Sequence, residues 1–518
     1  MTREHNSIKL LFAGLMVTQF MSSLGQTVLS SALPTIVGEL NGVEHMAWVI
    51  TAFILAATIV MPIYGKLSDL WGRKPLLLVA IVLFLAGSVL GALASSMNAL
   101  VIARAIQGAG GGGLMILSQA AIADVVPARE RGKYMGIMGA TFAVSSVAGP
   151  LLGGWFTEGP GWRWAFWMNI PLAALSICAT LLFLHTPRVV NVVKPKIDVL
   201  GMALLSVVTT AFVLLVTLGG SAYAWSEPFI TVLAAVTLLS GVAFVFAEKR
   251  AAEPIMPLFL FRDRNFNLTT ITALATGIVM FGAIGYIPTY LQMAGGFSAA
   301  TAGLLMAPMM LSLLISSTVT GLAVSRSGKY RMFPVVGSLV VAVGLLWMAQ
   351  TELDTPVVVI CLAMSVMGVG VGMSLQILTL IVQSSFSLKV VGTATAATNY
   401  FRQVGSTLGS AVVGAVFASR LMFYVEDRMG EDAAVVGDAS SFTPAFVHSL
   451  PQSVREPILA AYNDALIPIY LWLIPLVLIA AVSAFFVKER PLATSIEEAM
   501  GDSPLRAPHS RIEDDSTT

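Results

Sequence analysis

The sequence predicts an all-α membrane protein with 14 transmembrane helices, arranged as two six-helix bundles plus two inserted helices. This prediction depends on the composition, on a series of apolar segments and on an internal repeat. Of the 518 residues, 57% are apolar and 11% are charged, whereas about 25% of the residues of a soluble globular chain are charged. The composition therefore excludes an ordinary soluble protein.

Fourteen apolar segments lie between charged residues and Gly or Pro breaks, and each is close to the length of about 20 residues that spans a bilayer. The first eight lie near 10–36, 46–65, 75–96, 99–125, 134–157, 163–184, 198–219 and 228–247. The last six lie near 266–292, 301–324, 333–350, 356–382, 394–420 and 466–487. Because the first segment is too long for the apolar region of a signal peptide, we expect it to remain as the first helix.

The positions of the basic residues give an independent test of this topology. If both termini are cytoplasmic, 23 of the 29 Lys and Arg residues fall in inside segments and four fall in outside segments. This asymmetry follows the positive-inside rule for membrane proteins. We therefore expect a multi-pass protein of the cell membrane with both termini in the cytoplasm.

A repeat relates the two halves of the chain at an offset of 256 residues. The matching pairs are Gly65 and Gly321, Gly72 and Gly328, Gly136 and Gly392, Gly149 and Gly405, Gly153 and Gly409, and Lys133 and Lys389. Single glycine matches are common in such a sequence, but six matches at one offset indicate two six-helix halves of one design. The segments near 198–219 and 228–247 have no counterpart, which marks them as an inserted pair.

The repeat predicts how the chain is organised. We expect an N-terminal half at 1–190, the inserted helix pair with its linkers at 191–262, and a C-terminal half at 263–490. The C-terminal half would contain a polar outside loop at 424–465. Residues 491–518 are polar and would form a disordered cytoplasmic tail.

Several function classes are excluded by the same sequence. The formal net charge of +1 gives no basic field for nucleic acid. The two cysteines lie in apolar segments, so they form neither a disulfide framework nor a metal site. Because the phosphate-binding pattern G-x-x-x-x-G-K-[ST] is absent from the sequence, we expect no ATP hydrolysis. We expect no enzyme activity, no cofactor and no metal, whereas repeated membrane halves predict a transporter with a central substrate site.

A basic loop connects the second and third predicted helices. It contains Gly65, Asp69, Gly72, Arg73 and Lys74. The glycines permit a tight turn, and Asp69 can pair with Arg73 or with a helix N-terminus. Taken alone, the loop has a simpler explanation, which is a basic turn that only fixes the topology.

On the basis of this loop, the chain resembles the major facilitator superfamily. Within it, the chain is most similar to the fourteen-helix drug/proton antiporter branch, which contains multidrug efflux transporters. The Gly, Asp, Gly, Arg and Lys positions of the loop match the signature of that superfamily. The resemblance extends over all fourteen predicted helices. It implies a major facilitator fold and gives the loop a gating role.

Two further motifs carry the resemblance. Arg104, Gln107 and Gly108 match an Arg-x-x-Gln-Gly motif that the family connects with proton transfer. The run from Ala148 to Gly154 resembles the antiporter motif, a helix bend associated with switching and with limiting leak. Its key residues here are Gly149, Pro150, Gly153 and Gly154. Close helix packing alone would also explain these glycines.

The chain departs from the family at the first helix. That branch usually has Leu-Asp-x-Thr there and uses the Asp as a proton site, but this sequence reads Leu24-Gly25-Gln26-Thr27. The other predicted spans contain no acid or histidine at membrane depth. Asp69 and Asp124 are then the remaining candidates for proton coupling, although Asp124 has the alternative of neutralising charge beside Arg129 and Arg131.

Two arginines lie within the predicted helices and bear on the substrate. An arginine at membrane depth costs several kcal/mol unless it is paired or hydrated. Arg104 is therefore expected to face the cavity, with a snorkelling arginine as the alternative. Because the spans offer Arg104 and Arg402 but no carboxylate, we predict neutral, anionic or amphiphilic substrates over monovalent cations. The candidate substrate-binding residues are Gln26, Asn169, Gln292, Gln376, Asn399 and Arg402.

Together these features predict a secondary active transporter that exports drug-like or lipophilic compounds by alternating access, coupled to protons as an antiporter. The expected partners are a lipophilic small molecule, protons and the lipid bilayer, and we expect a monomer. A dedicated exporter of one endogenous metabolite or lipid is the first alternative. The second alternative is a membrane receptor or channel without transport activity.

Overall fold

The computed structural model describes residues 2–40, 45–184, 196–220, 223–429 and 444–494, which fold into α-helices joined by short turns. The N-terminal half contains α1 (Thr2–Thr27), α2 (Leu33–Leu40), α3 (Met46–Trp71), α4 (Arg73–Ala92), α5 (Met97–Val125), α6 (Ala128–Glu158), α7 (Trp164–Trp167) and α8 (Asn169–Phe183). The inserted pair consists of α9 (Val199–Leu218) and α10 (Pro228–Arg250).

The C-terminal half follows a short 3₁₀ helix at Leu258–Arg262. Its helices are α11 (Arg264–Ala283), α12 (Ile287–Gly295), α13 (Ala299–Leu305), α14 (Ala307–Ser327), α15 (Met332–Met348), α16 (Val357–Ser385), α17 (Val391–Met429), α18 (Pro444–Ser449) and α19 (Gln452–Phe485).

Each predicted apolar segment lies on one helix or on two consecutive helices. Within the described chain, 12 helical stretches are long and apolar enough to cross a membrane, and Met332–Met348 is a shorter apolar helix. The predicted all-α membrane class is therefore confirmed. The count of fourteen spans stays a prediction.

The glycine repeat corresponds to pairs of helix contacts. A Cβ on Gly65 of α3 would lie 2.9 Å from the carbonyl oxygen of Gly392 of α17. The equivalent residues of the repeat meet in the same way, because a Cβ on Gly321 would lie 3.2 Å from the Cα of Gly136. Only glycines allow the backbones of the two halves to approach this closely. The two halves thus contact each other at two places that the repeat relates.

A second pair of contacts lies within each half. A Cβ on Gly153 of α6 would overlap the carbonyl oxygen of Val28, and a Cβ on Gly409 of α17 would overlap that of Ile278. These contacts hold α6 against the chain at the end of α1 and hold α17 against α11. The same glycine spacing therefore builds the same helix pair twice.

The inserted pair packs beside the bundle. α9 and α10 contact each other, and α9 also contacts α3 and α17. Leu238 and Leu239 of α10 are each 69% exposed, so this helix carries a large apolar surface. α9 is therefore the member of the pair that borders the interface between the halves.

The end of the bundle that contains Asp69, Gly132 and Gly392 is here called the latch end. The opposite end, which contains Ile50 and Gly414, is called the open end. The predicted orientation makes the latch end cytoplasmic.

The segment predicted as a polar outside loop, 424–465, is helical at both of its ends. α17 continues to Met429 and α19 begins at Gln452, so both ends of this segment are helical. Arg428 of α17 and Asp464 of α19 form an ion pair between these two helical ends. Residues 430–443 of the predicted loop lie outside the described residues.

The beginning of the predicted tail is also packed. Leu492 is 7% exposed, and the carbonyl oxygen of Ala493 accepts a hydrogen bond from the backbone N–H of Arg129. The apolar Leu492 and this backbone pairing hold residues 491–494 against α6. The remainder of the predicted disordered tail, 495–518, lies outside the described residues.

Candidate functional site

The basic loop forms a polar connection between the two halves at the latch end. Asp69, at the end of α3, accepts hydrogen bonds from the backbone N–H of Gly392 (3.1 Å) and of Thr393 (2.7 Å) and from the Thr393 hydroxyl (2.5 Å). It therefore neutralises the N-terminus of α17, where unpaired N–H groups favour a negative charge. We call Asp69, Arg73, Asp124, Gly392 and Thr393 the latch.

Arg73 joins the two carboxylates of the latch. Its guanidinium lies 2.5 Å from Asp69 and 3.2 Å from Asp124, and it donates a hydrogen bond to the Ser68 hydroxyl. The side chains of Asp69 and Arg73 are each 3% exposed. Asp124 is thus paired with Arg73, and Arg131, one of the two arginines expected beside it, also interacts with it electrostatically. The two carboxylates share the guanidinium of Arg73, and the buried Arg131 adds a second positive charge near Asp124.

The other residues of the basic loop shape its turn. Gly72 has a φ of 90°, which glycine adopts without strain. The neighbouring Lys74 donates a hydrogen bond to the carbonyl oxygen of Leu181 (2.8 Å), within the N-terminal half. Gly65 supplies the close approach to α17 described above. Within the loop, Asp69 therefore contacts the C-terminal half, whereas Lys74 contacts the N-terminal half.

Further polar bonds close the latch end. The Ser317 hydroxyl donates to the carbonyl oxygen of Gly136 (3.0 Å). Gln383 donates to the carbonyl oxygen of Gln119 (3.2 Å), and Arg131 donates to that of Gln383 (3.4 Å). All three bonds cross from one half to the other, where they accompany the apolar contacts of Met61 and Ile116 with Ala396.

A small central cavity of about 40 Å³ lies between the halves. Its walls come from α1, α5 and α6 on one side and from α11, α16 and α17 on the other. Three of the predicted substrate-binding residues line it, namely Gln26, Gln376 and Arg402. Of the described residues that line it, Arg402 alone is charged. The cavity thus has a positive electrostatic character.

Asn399 connects Arg402 to the opposite half. The Arg402 guanidinium donates to the side-chain oxygen of Asn399 (2.6 Å), and the Asn399 amide donates to the side-chain oxygen of Gln119 on α5 (3.1 Å). Both contacts use neutral acceptors. The charge of Arg402 is therefore positioned by its neighbours without being neutralised.

A larger hollow of about 440 Å³, here called the side chamber, lies toward the open end. It is lined by Ile50, Thr51, Ile54, Val213, Thr217, Phe281, Tyr286, Gln403, Ser406, Thr407, Ser410, Ala411, Gly414 and Ala415. Phe281, Gln403 and Ser406 line both the side chamber and the central cavity. The two spaces therefore adjoin each other at these three residues.

Arg104 lies inside the N-terminal half, away from both spaces. It is 1% exposed and donates to the carbonyl oxygens of Val49 (3.0 Å) and Gly25 (2.8 Å) and to the Gln107 side chain (2.6 Å). Its guanidinium also stacks on the Phe53 ring at 4.3 Å. These contacts with uncharged groups connect α5 to α1 and α3, and Arg104 is absent from the described cavity walls.

The network continues from Gln107 to Asn169. The Gln107 amide donates to the Ser88 hydroxyl (2.9 Å), to which Asn169 also donates (3.2 Å). Gly108 packs so tightly that a Cβ would lie 2.8 Å from the Cα of Phe53. The structure thus brings the proposed coupling motif and Asn169 together within one half, separate from Asp124.

The position of the missing acid is filled by aromatic rings. A Cβ on Gly25 would lie 2.9 Å from the Phe84 ring and 3.5 Å from the Phe53 ring. The Gly25 carbonyl oxygen is at the same time an acceptor for Arg104. This site therefore has no room for a carboxylate in the present arrangement of side chains.

The predicted switching helix packs against the end of α1. A Cβ on Gly149 would lie 2.7 Å from the Cβ of Thr27, and the carbonyl oxygen of Pro150 accepts a hydrogen bond from Ser31 (3.0 Å). A Cβ on Gly154 would meet nothing within 4 Å. Gly149 and Gly153 thus serve close packing, whereas Gly154 has free space beside it.

The remaining predicted site residue, Gln292, lies near the open end on α12. Its amide donates to the carbonyl oxygen of Pro288 (3.2 Å), and its own backbone oxygen contacts His448 of α18 (3.1 Å).

Sequence reasoning missed Thr393 and Gln383. The hydroxyl of Thr393 at the start of a helix is a signal that was available.

Comparisons with known proteins agree with this architecture. A family model described as the Major Facilitator Superfamily matches residues 15–410. An uncharacterized MFS-type transporter of Mycobacterium tuberculosis is 38% identical over 95% of this chain and 72% of its own length. The multidrug transporter protein MdtP of Bacillus subtilis is 32% identical over 90% of this chain and 89% of its own length.

A solved structure supports the fold. The proton:xylose symporter XylE superposes with a TM-score of 0.60 at 15% identity, covering 96% of this chain and 99% of that chain. Identity at this level supports the fold alone, and the predicted major facilitator fold is confirmed. The protein belongs to the Major Facilitator Superfamily and is a multi-pass membrane transporter of small molecules.

Proposed function

We propose that this transporter exports drug-like or lipophilic compounds across the cell membrane by alternating access, as a proton-coupled antiporter. It would act as a monomer with both termini in the cytoplasm. The observation that carries the proposal is the asymmetry between the two ends: the latch closes one end while the side chamber lies toward the other. Such an arrangement has the features of one state of a transporter whose halves rock about a central site.

The latch is suited to reversible closure. Asp69 binds Gly392 and Thr393 through hydrogen bonds rather than through an extensive apolar surface. Hydrogen bonds to a charged group contribute about 1.5–3 kcal/mol each, so a conformational change can exchange them for bonds to water. The hydrogen bonds of the latch can therefore be exchanged reversibly when the two halves separate at this end.

The relative MdtP is named a multidrug transporter, which supports export of drug-like compounds. In this chain, the central cavity holds Arg402 and no carboxylate among the described residues that line it. A buried positive charge disfavours a cationic ligand and favours an anionic one. We therefore assign neutral, anionic or amphiphilic compounds as substrates and expect poor transport of ethidium.

Proton coupling would use the carboxylates of the latch. Protonation of Asp69 or Asp124 removes a negative charge that Arg73 and the start of α17 now stabilise. Proton uptake would weaken the latch and so favour opening at its end. The aromatic filling around Gly25 supports a coupling site in the latch rather than on α1.

The test is uptake into inverted membrane vesicles, with and without an imposed pH gradient. We expect an anionic or neutral drug to accumulate only with the gradient, and Asp124→Asn to reduce this dependence. Glu130→Gln, an exposed acid of α6 outside the latch, is the matched control. Flux that does not depend on the pH gradient would indicate facilitated diffusion. The absence of flux for every compound tested would favour a membrane receptor without transport activity.

A dedicated exporter is the second candidate. The compact central cavity of about 40 Å³ favours a defined head group over many unrelated ones. Competition among a panel of unrelated drugs separates the two candidates. Mutual inhibition supports multidrug export, whereas inhibition by one compound class alone supports a dedicated exporter of a metabolite or lipid.

A further inference from the structure

The inserted helix α9 forms one wall of the side chamber. Val213 and Thr217 of α9 lie opposite α17, and Ile50, Thr51 and Ile54 of α3 complete this side. Val213 is 3% exposed, whereas Val207 on another face of the same helix is 45% exposed. The inserted helix thus separates the chamber from the surroundings of the bundle.

The lining of the side chamber favours uncharged groups. None of its described lining residues is charged. Several hydroxyls donate to backbone oxygens of their own half: Ser406 to Arg402 (3.0 Å), Thr407 to Gln403 (3.2 Å) and Tyr286 to Ser410 (2.9 Å). Because these hydroxyl hydrogens are already bonded, the chamber offers few donors to a ligand. A charged group that entered it would lose hydration without compensation.

The two spaces differ in size and charge. The central cavity of about 40 Å³ is charged by Arg402, and a space of this size holds about three waters or a small head group. The side chamber of about 440 Å³ falls within the range of about 300–1,000 Å³ of small-molecule sites. A ligand with a small anionic head and a bulky apolar body matches both spaces at once.

Gln403 lies where the two spaces meet. It follows Arg402 in sequence and lines both cavities together with Ser406 and Phe281. An amide here can bind a polar linkage between the head and the body of such a ligand.

We propose that the side chamber receives the apolar body of an amphiphilic anion whose head is bound at Arg402, and that Val213 of the inserted helix limits the size of that body. This inference rests on the proposed export function and names its substrate class. It assigns the inserted pair a role in specificity, since without α9 the chamber would lack one wall.

The experiment compares two permanently charged sulfonates in inverted vesicles, benzenesulfonate and the larger anilinonaphthalenesulfonate. Val213→Trp fills the chamber from α9, and Ala411→Phe fills it from the opposite wall on α17. The controls are Val207→Trp and Val412→Phe, whose sites are 45% and 48% exposed. We expect both filling variants to lower the uptake of the larger sulfonate about tenfold relative to the smaller one, and the controls to preserve the ratio.

The outcomes separate the inference from the function on which it rests. An unchanged uptake ratio in folded Val213→Trp and Ala411→Phe would overturn the role of the side chamber while leaving export intact. An equal change of the ratio in the exposed control variants would also overturn it. If the unmodified protein transports neither sulfonate, the proposed export of anions fails, and the inference fails with it.

Discussion

The carboxylate of Asp69 accepts two hydrogen bonds from Thr393, which lies 324 residues later in the chain. This contact connects the end of α3 to the start of α17 and therefore crosses between the halves. Because Arg73 holds the same carboxylate, the charge that fixes the turn also closes the latch end.

Replacing Asp69 with Asn should open the latch end. The Asn side chain keeps one acceptor oxygen but carries no charge. The bonds to Gly392 and Thr393 and the pairing with Arg73 should therefore all weaken. Charged hydrogen bonds contribute about 1.5–3 kcal/mol, so the ratio of open to closed molecules should rise about tenfold or more.

Spin labels at Trp71 and Lys389, in a background free of native cysteines, report this change. We expect a population with a longer label distance in Asp69→Asn. Glu130→Gln should retain the distance distribution of the unmodified protein. If Asp69→Asn retained it as well, the latch would not hold this end closed.

Replacing Arg104 with Ala should impair both folding and transport. The change leaves the Gly25 and Val49 carbonyls and the Gln107 side chain without their donor. Each buried unpaired group costs about 1–3 kcal/mol. Thermal unfolding and vesicle uptake, normalised to folded protein, provide the measurement, and full transport by Arg104→Ala would refute a functional role for this residue.

Introducing Asp at Gly25 should not restore a proton site by itself. The new side chain would overlap the Phe84 ring, so we expect Gly25→Asp to lower the melting temperature. Removing the ring in Gly25→Asp with Phe84→Ala creates space and places a carboxylate near Arg104. We expect the double variant to be more stable than Gly25→Asp alone, and Phe84→Ala alone is the control. A fully stable single variant would contradict the steric argument.

Replacing Arg402 with Gln should reduce transport of anions selectively. The change removes the single charge from the described walls of the central cavity while retaining a hydrogen-bonding side chain. We expect uptake of an anionic drug to fall about tenfold, with a smaller effect on a neutral one. Arg402→Lys, which keeps the charge, should retain the preference. Equal losses for both drugs would indicate a structural role instead.

We expect Arg420 to stabilise the folded protein through its hydrogen bond to the carbonyl oxygen of Asp464. Pro468 lies within α19 and has no N–H, so it cannot donate to the carbonyl four residues earlier. The Arg420 guanidinium donates to that oxygen instead (2.8 Å). We expect Arg420→Ala to lower the free energy of unfolding by about 1–3 kcal/mol.

A double-mutant cycle isolates this contact. Pro468→Ala supplies an N–H for the Asp464 carbonyl, so Arg420→Ala should cost less in that background. Calorimetric unfolding of the four proteins gives the coupling energy. Additive effects would show that Arg420 acts through its other contacts, with Ala465 and Trp472.

Much of the fold follows from local sequence features. Apolar segments of membrane length predict the helices, and the 256-residue offset anticipates that Gly65 and Gly321 occupy related positions. Composition did not indicate that the ends of the predicted outside loop are helical, with Arg428 and Asp464 paired between the two neighbouring helices. Composition alone does not reveal such a partner.

The candidate site was less accessible to sequence reasoning. The six predicted substrate-binding residues are all polar residues within helices, but only Gln26, Gln376 and Arg402 among them line the central cavity. Asn169 instead bonds to Ser88 within one half. Which way a polar side chain turns depends on how each helix is rotated against its neighbours.

The sequence by itself determined the helical membrane class, the internal repeat and the charged loop of the latch, because hydropathy, residue spacing and charge are properties of short segments. Only the tertiary structure decided that Asp69 meets Thr393, that Arg104 lies away from the described cavities, and that Val213 borders a chamber beside Arg402. These relationships join residues far apart in the chain, and close packing of whole helices sets them rather than the preference of any one segment.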